Sequence, residues 1–90
     1  MINTSIAIRI RKIREKEGMT RDEFAMFTGI GASKISNIEN ERQKVNADQI
    51  EAIGKKFPHY KLWLAYNEVA PEIGQISPDM EAIREKLGKA

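Results

Sequence analysis

Between Gly18 and Asn40 the chain carries two short helical patterns joined by a sharp corner, and this stretch restricts the fold more than any other. Thr20-Arg21-Asp22-Glu23 has the form of a capping box, with a threonine oxygen set to accept the amide three residues on and a glutamate reaching back. Asp22 and Glu23 also suit the positive end of a helix dipole. Phe24, Ala25, Phe27 and Thr28 supply the inward face of this helix. Gly29-Ile30-Gly31 then forms a tight turn, because glycine tolerates the left-handed backbone that a reversal needs. A further helix follows at about Ala32–Asn40, with Ile35 and Ile38 inward and Ser33, Lys34, Ser36 and Asn37 small or polar between them.

The flanking chain reads as more helix. Ile6, Ile10 and Ile13 recur at i, i+4 and i+7, with Asn3, Thr4 or Ser5 as the cap and Gly18 as the stop. Ile8 falls off that stripe. Residues 40–46 are aperiodic and read as a loop. Asn46 caps a fourth helix, Ala47–Lys56, with Ile50, Ile53 and Phe57 inward, and Pro58 closes it. Tyr60–Tyr66, with Leu62, Trp63 and Leu64, is expected as a fifth short helix plugging the core. Glu68–Pro78 has two prolines, a glycine and no period, and reads as linker-like. Ser77-Pro78-Asp79 then starts a sixth helix with a narrow stripe of Met80, Ile83 and Leu87. The fold class is all-α, and 90 residues hold one core.

Composition removes several classes of function. No cysteine is present, so disulfides, thiol chemistry and the usual structural zinc are excluded. The single histidine, His59, reads as a packing or capping residue, and no metal ligand set or cofactor motif is visible. No run approaches the ~18 apolar residues of a membrane span, and arginines interrupt the apolar N-terminus, so the cytoplasm is the expected location. The carboxylates at 22/23 and 39/41 lack a nucleophile or ligand cluster, and capping and ion pairing account for them, so no enzyme is expected. Trp63 with Tyr60 and Tyr66 reads as core or interface. The net charge of +2 is uneven. Arg9, Arg11, Lys12, Arg14 and Lys16 crowd the N-terminal helix and read as a solvated face with a minor steering role.

Periodicity alone does not assign a function, since any helical bundle contains short helix pairs. The stretch Gly18-Met19-Thr20-Arg21-Asp22-Glu23-Phe24-Ala25, then Gly29-Ile30, then Ser33 and Ile35-Ser36-Asn37-Ile38-Glu39, resembles the helix-turn-helix family of phage Cro and repressor proteins, the XRE-like regulators. The resemblance covers roughly residues 6–64. It implies a lambda-repressor-like five-helix DNA-binding domain at 1–67. The remaining 68–90 is an added linker and amphipathic helix, read as a dimerisation or partner tail.

Residue by residue, the resemblance implies the following. Ala25 lets the two helices cross closely, and Gly29 makes the turn. Ala32, Ser33, Lys34 and Asn37 face the major groove. There a lysine donates to guanine O6 or N7 and an asparagine binds adenine in bidentate fashion. Thr20 and Arg21 sit where the second helix meets a phosphate, and Asn40, Arg42 and Lys44 belong to the loop that grips the backbone. Arg14 and Glu39 match an internal ion pair. Three positions depart from the family pattern. Gly31 and Ala32 replace polar residues at the start of the recognition helix, and Glu41 stands where glycine is usual. The expected function is sequence-specific binding of double-stranded DNA at a palindromic operator. A repressor acting as a homodimer is expected, with the aromatic segment 60–66 and the tail around Ile73, Ile76, Met80, Ile83 and Leu87 at the interface. The alternative is an antitoxin or adaptor that docks a protein partner through its tail.

Overall fold

The computed structural model describes residues 5–88, so two of the candidate first caps, Asn3 and Thr4, lie outside the described residues. Helix α1 spans Ile6–Lys16, and the Ile8 amide donates to Ser5 Oγ at 3.3 Å. Ile10 and Ile13 are fully buried, while Ile8 is exposed. Helix α2 is Arg21–Thr28. Both arms of its capping box form: the Glu23 amide donates to Thr20 Oγ1 at 3.1 Å and the Thr20 amide to Glu23 Oε1 at 2.8 Å. Gly29 ends it at φ 79°, the left-handed conformation the turn requires. Helix α3 is Ala32–Glu39, and Asn40 is its C-cap. Helix α4, Ala47–Lys56, is capped by Asn46 in a box with Gln49. Pro58 starts a 3-10 turn that runs into helix α5, Lys61–Tyr66.

These helices close on one core. Phe24, Ile35, Ile38, Ile53 and Leu64 are sealed from solvent with Ile10 and Ile13. Each such side chain contributes about 1.5–3 kcal/mol over leaving it exposed. Phe57 stacks between Phe24 (centroids 5.9 Å apart) and Tyr60 (6.4 Å), which fastens α2 to the junction of α4 and α5. Phe27 departs from the expected inward position. It is partly exposed, tilted against Phe57 at 5.4 Å, with the Lys56 ammonium 5.2 Å above its ring.

The segment after α5 is folded against the core, contrary to its linker-like composition. Ile76 is only 2% exposed and belongs to the core cluster. Helix α5 has no side-chain cap of its own, and Gln75 supplies what it lacks: Gln75 Oε1 accepts the Leu62 amide at 3.0 Å. Its Nε2 donates to the Pro58 carbonyl at 2.9 Å. Ala70 and Gln75 exchange two backbone hydrogen bonds around a turn that contains Pro71–Ile73. The reason periodicity misses this is physical. The segment is held by hydrogen bonds and one anchor residue, and neither leaves a repeat in sequence.

Helix α6, Pro78–Gly88, docks on α1 and gives a second departure. Pro78 is buried, Asp79 lies 3.6 Å from Lys12, and Glu85 lies 3.0 Å from Lys16. The apolar stripe does not make this contact. Met80 packs partly on the core, but Ile83 is 58% exposed and Leu87 71% exposed. Among the described residues no helix is long and apolar enough to cross a membrane.

Candidate nucleic-acid interface

The first three helices are tied together at one buried carboxylate. The side chain of Glu39 has no exposed surface. Arg14 donates to it twice, Nε to Oε2 at 2.8 Å and Nη2 to Oε1 at 3.0 Å, and Arg21 Nε donates to Oε1 at 3.2 Å. Arg14 Nη1 also donates to the Met19 carbonyl at 2.9 Å, which fixes the bend between α1 and α2. The hydrogen bonds to Glu39 hold the Arg14 pKa above its ordinary value, against an opposing effect of burial. A carboxylate this deep needs such partners, because an unpaired buried charge is strongly destabilising. The cluster fixes the angle at which α3 is presented.

Arg21 therefore has a part that its place in the sequence did not disclose. Its Nε is committed to Glu39, and the residue lines a shallow recess of about 420 Å³ with Arg14, Thr20 and Asp22. The recess lies at the N-terminus of α2, where first-turn amides have no intrahelical acceptor and the dipole favours an anion.

On α3, burial of Ile35 and Ile38 turns the other residues outward. Ser33 and Lys34 are exposed, and Ala32 and Asn37 are half-buried. Lys34 lines a shallow recess with Asn46 and Asp48 at the start of α4, and forms no ion pair among the described residues. Asn40 Nδ2 donates to Ser36 Oγ at 3.4 Å.

The loop after α3 keeps a defined shape. The Arg42 amide donates to the Asn37 carbonyl at 2.8 Å and the Glu41 amide to the Ile38 carbonyl at 3.0 Å. These two bonds make a Schellman ending, whose left-handed residue is usually glycine. Here it is Glu41, at φ 58°. The departure at 41 thus leaves the turn intact, at a conformational cost of about 1–2 kcal/mol. Val45 packs on the core and anchors the far end of the loop. Arg42 and Lys44 project into solvent. Among the described residues, Lys34, Arg42 and Lys44 have no carboxylate partner.

The basic face of α1 is solvated only in part: Arg11 and Lys12 reach solvent, while Arg9, Arg14 and Lys16 are largely covered. Arg9 is 7% exposed and its Nε donates to the Leu64 carbonyl at 2.9 Å, binding α1 to α5; burial lowers its pKa. The sequence did carry a signal for this, because 6, 9, 10 and 13 share one helical face. Arg11 pairs with Glu15 at 3.2 Å.

The α2 N-terminus, the outward face of α3 and the following loop lie next to one another in the fold. A helix about 10–12 Å across enters the major groove, and flanking donors meet the phosphates. Comparison with known proteins identifies the fold and its family. A family model described as "Helix-turn-helix domain" matches residues 7–73. Repressor protein C of Escherichia phage P2 is 32% identical over 79 residues, covering 86% of this chain and 80% of that protein. The structure of Pf6r from the filamentous phage Pf6 of Pseudomonas aeruginosa PA01 superposes with a TM-score of 0.68 at 34% identity, covering 84% of this chain and 97% of the other. The chain belongs to the XRE-like, phage-repressor-type family of helix-turn-helix transcriptional regulators.

Proposed function

We propose that this protein is a cytoplasmic, sequence-specific repressor that binds a palindromic operator as a homodimer. The observation that carries the reading is the placement of unneutralised cations. Lys34, Arg42 and Lys44 lie on α3 and the loop beyond it, while the cations of α1 are engaged elsewhere. Residues 1–67 form the reading unit, and 68–90 contribute to contacts with a second copy or a partner.

In this reading α3 lies in the major groove. Ser33 and Asn37 reach base edges, Lys34 donates to a guanine, and the Ala32 methyl meets a thymine methyl. Thr20 and Arg21 hold one phosphate at the α2 N-terminus, and Asn40, Arg42 and Lys44 hold the next. Because the side chains at 32 and 33 are short, α3 must sit close to the base pairs for them to count. Dimerisation supplies a second half-site about one helical turn away, since one small module makes too few contacts for ~10⁻⁸ M binding.

Selection from random duplex DNA, with the wild type and a Lys34→Ala/Asn37→Ala variant across a salt series, tests the proposal. A two-fold symmetric site selected by the wild type alone, with salt-dependent binding kept in the variant, supports it. Failure of both to select a sequence overturns it. The outward Ile83–Leu87 stripe favours a second reading, an antitoxin or adaptor with a protein partner on its tail.

A further inference from the structure

The residues expected to join two copies divide sharply by exposure. Tyr60, Trp63, Leu64 and Ile76 are core, so they are unavailable. Tyr66 and Ile73 are each 72% exposed. They rim an open apolar cavity of about 620 Å³ whose floor includes Ile50, Gly54, Leu62 and Ala65, between α4, α5 and the 71–73 turn. Gly54 lies inside α4, where glycine weakens a helix. A side chain there is not excluded by packing, since a Cβ would meet only Lys61 Cβ at an ordinary 3.5 Å. What the bare Cα provides is depth in the cavity.

We infer that this face is the contact between two copies of the chain, with Tyr66 of each copy seated in the other's cavity. The inference rests on the homodimeric reading above and names its surface. A knob beside a hole on one face is self-complementary under a two-fold axis, the arrangement a closed dimer requires. At the rim Glu51 and Lys55 neutralise each other at 3.2 Å, which leaves Lys61 as the one net charge each face must hold in solvent. One tyrosine buries up to ~200 Å², about a quarter of the ~800 Å² per partner of a standard interface, and Ile73 and the floor add to it. The competing surface on α6 offers Ile83 and Leu87 as an exposed ridge.

Sedimentation equilibrium of the full chain tests the assignment through a pair of complementary variants. Tyr66→Ala removes the knob, and Ala65→Phe fills the hole. Both positions are at least partly exposed, and circular dichroism melts check that each variant is folded. Each alone should dimerise about tenfold or more weakly than wild type. Mixed, they should form a heterodimer tighter than either homodimer, because the intact knob of one meets the intact hole of the other. Variants that dimerise like wild type, with Ile83→Glu/Leu87→Glu monomeric, overturn the surface and leave the dimeric repressor standing. A wild type that is monomeric both free and on its selected DNA overturns the dimeric reading and this surface together. In that case half-site binding still reports on α3 independently.

Discussion

Helix α1 and the α3–loop region both carry positive charge, and they use it in opposite ways. On α1 every cation has a partner inside the protein. Arg9 has the Leu64 carbonyl, Arg11 has Glu15, Lys12 has Asp79, Arg14 has Glu39 and Lys16 has Glu85. Beyond Gly29, Lys34, Arg42 and Lys44 have no carboxylate partner among the described residues, nor do Lys56, Lys61, Arg84 and Lys86 on α4, α5 and α6, but only the first three share α3 and its loop. A cation that the protein already neutralises has little to offer a phosphate, whereas a free one displaces condensed counterions from DNA. If the proposed reading holds, the density of charge along the sequence marks the wrong helix. In the proposed reading the interface is marked by cations that lack a counter-charge in the protein and also share α3 and its loop.

Removing the counter-charge from the most deeply paired arginine should have the largest effect. Glu39→Ala leaves Arg14 facing a buried void and releases Arg21. The expected loss is about 3 kcal/mol or more, a fall in melting midpoint on the order of 10–20 °C for a domain of this size. Thermal denaturation followed by circular dichroism measures it. An unchanged midpoint would mean that Arg14 and Arg21 do not depend on Glu39, and the two charged regions would no longer be distinct.

A matched pair of arginine variants makes the contrast direct. Arg9→Ala strands the Leu64 carbonyl and should cost about 1–3 kcal/mol, while the salt dependence of DNA binding stays as it was. Arg42→Ala should do the reverse. Its stability stays within about 0.5 kcal/mol, and the slope of log K against log salt falls by about 0.9 for one lost phosphate contact. Fluorescence anisotropy over a salt series, beside denaturant titrations, reads both. Identical slopes for wild type and Arg42→Ala would remove the loop from the interface.

The same contrast explains what was legible in the sequence. Helix boundaries around α2, α3 and α4 are written in local chemistry, in the Thr20 and Asn46 capping boxes and the left-handed Gly29, and local chemistry survives in a one-dimensional string. The outward residues of α3 follow from the inward pair Ile35 and Ile38 in the same way. Long-range partners do not. Arg21 and Glu39 are eighteen positions apart, Arg9 and Leu64 fifty-five, and no period connects them. Gln75 capping α5 and Ile76 completing the core are likewise tertiary facts in a segment whose prolines and glycine suggest only a linker. The direction of the α6 stripe could not be read either, because the partners of its other face, Lys12 and Lys16, lie on α1, far away in sequence.

On the neutralised side, Tyr60 offers a smaller test. Its hydroxyl is buried without a hydrogen-bond partner. Burial raises its pKa well above the usual tyrosine value, and the charges of Glu17, Glu81 and Glu85 reinforce the shift. The folded state thus holds this proton more tightly than the unfolded chain. Its contribution is fully present below about pH 10, the unfolded value, and is lost as pH rises further. Tyr60→Phe should be neutral or stabilising by about 1 kcal/mol at pH 7, since it deletes an unsatisfied group. Above pH 10 it should flatten the alkaline decline by up to about 1.4 kcal/mol per pH unit. Parallel alkaline slopes for the two proteins would show that the hydroxyl is solvated.

The finest adjustment lies at the edge of the DNA-facing surface. Glu41 is both the left-handed residue of the Schellman ending and a negative charge beside Arg42. Glu41→Gly relieves a left-handed conformation costing about 1–2 kcal/mol, but glycine gives the unfolded chain about 0.4–1 kcal/mol of extra entropy. The net gain in stability should be a few tenths to about 1 kcal/mol. The electrostatic effect has the same sign for binding, because one repulsion toward phosphate disappears. Affinity should therefore rise at low salt and converge with wild type as screening shortens the range of the lost repulsion. If stability rises while affinity is unchanged at every salt concentration, the loop is away from the backbone, and the free cations at Arg42 and Lys44 are ordinary surface charge. If both rise together, one residue has been holding back fold and interface at once, which fits a loop whose shape and field both face the DNA.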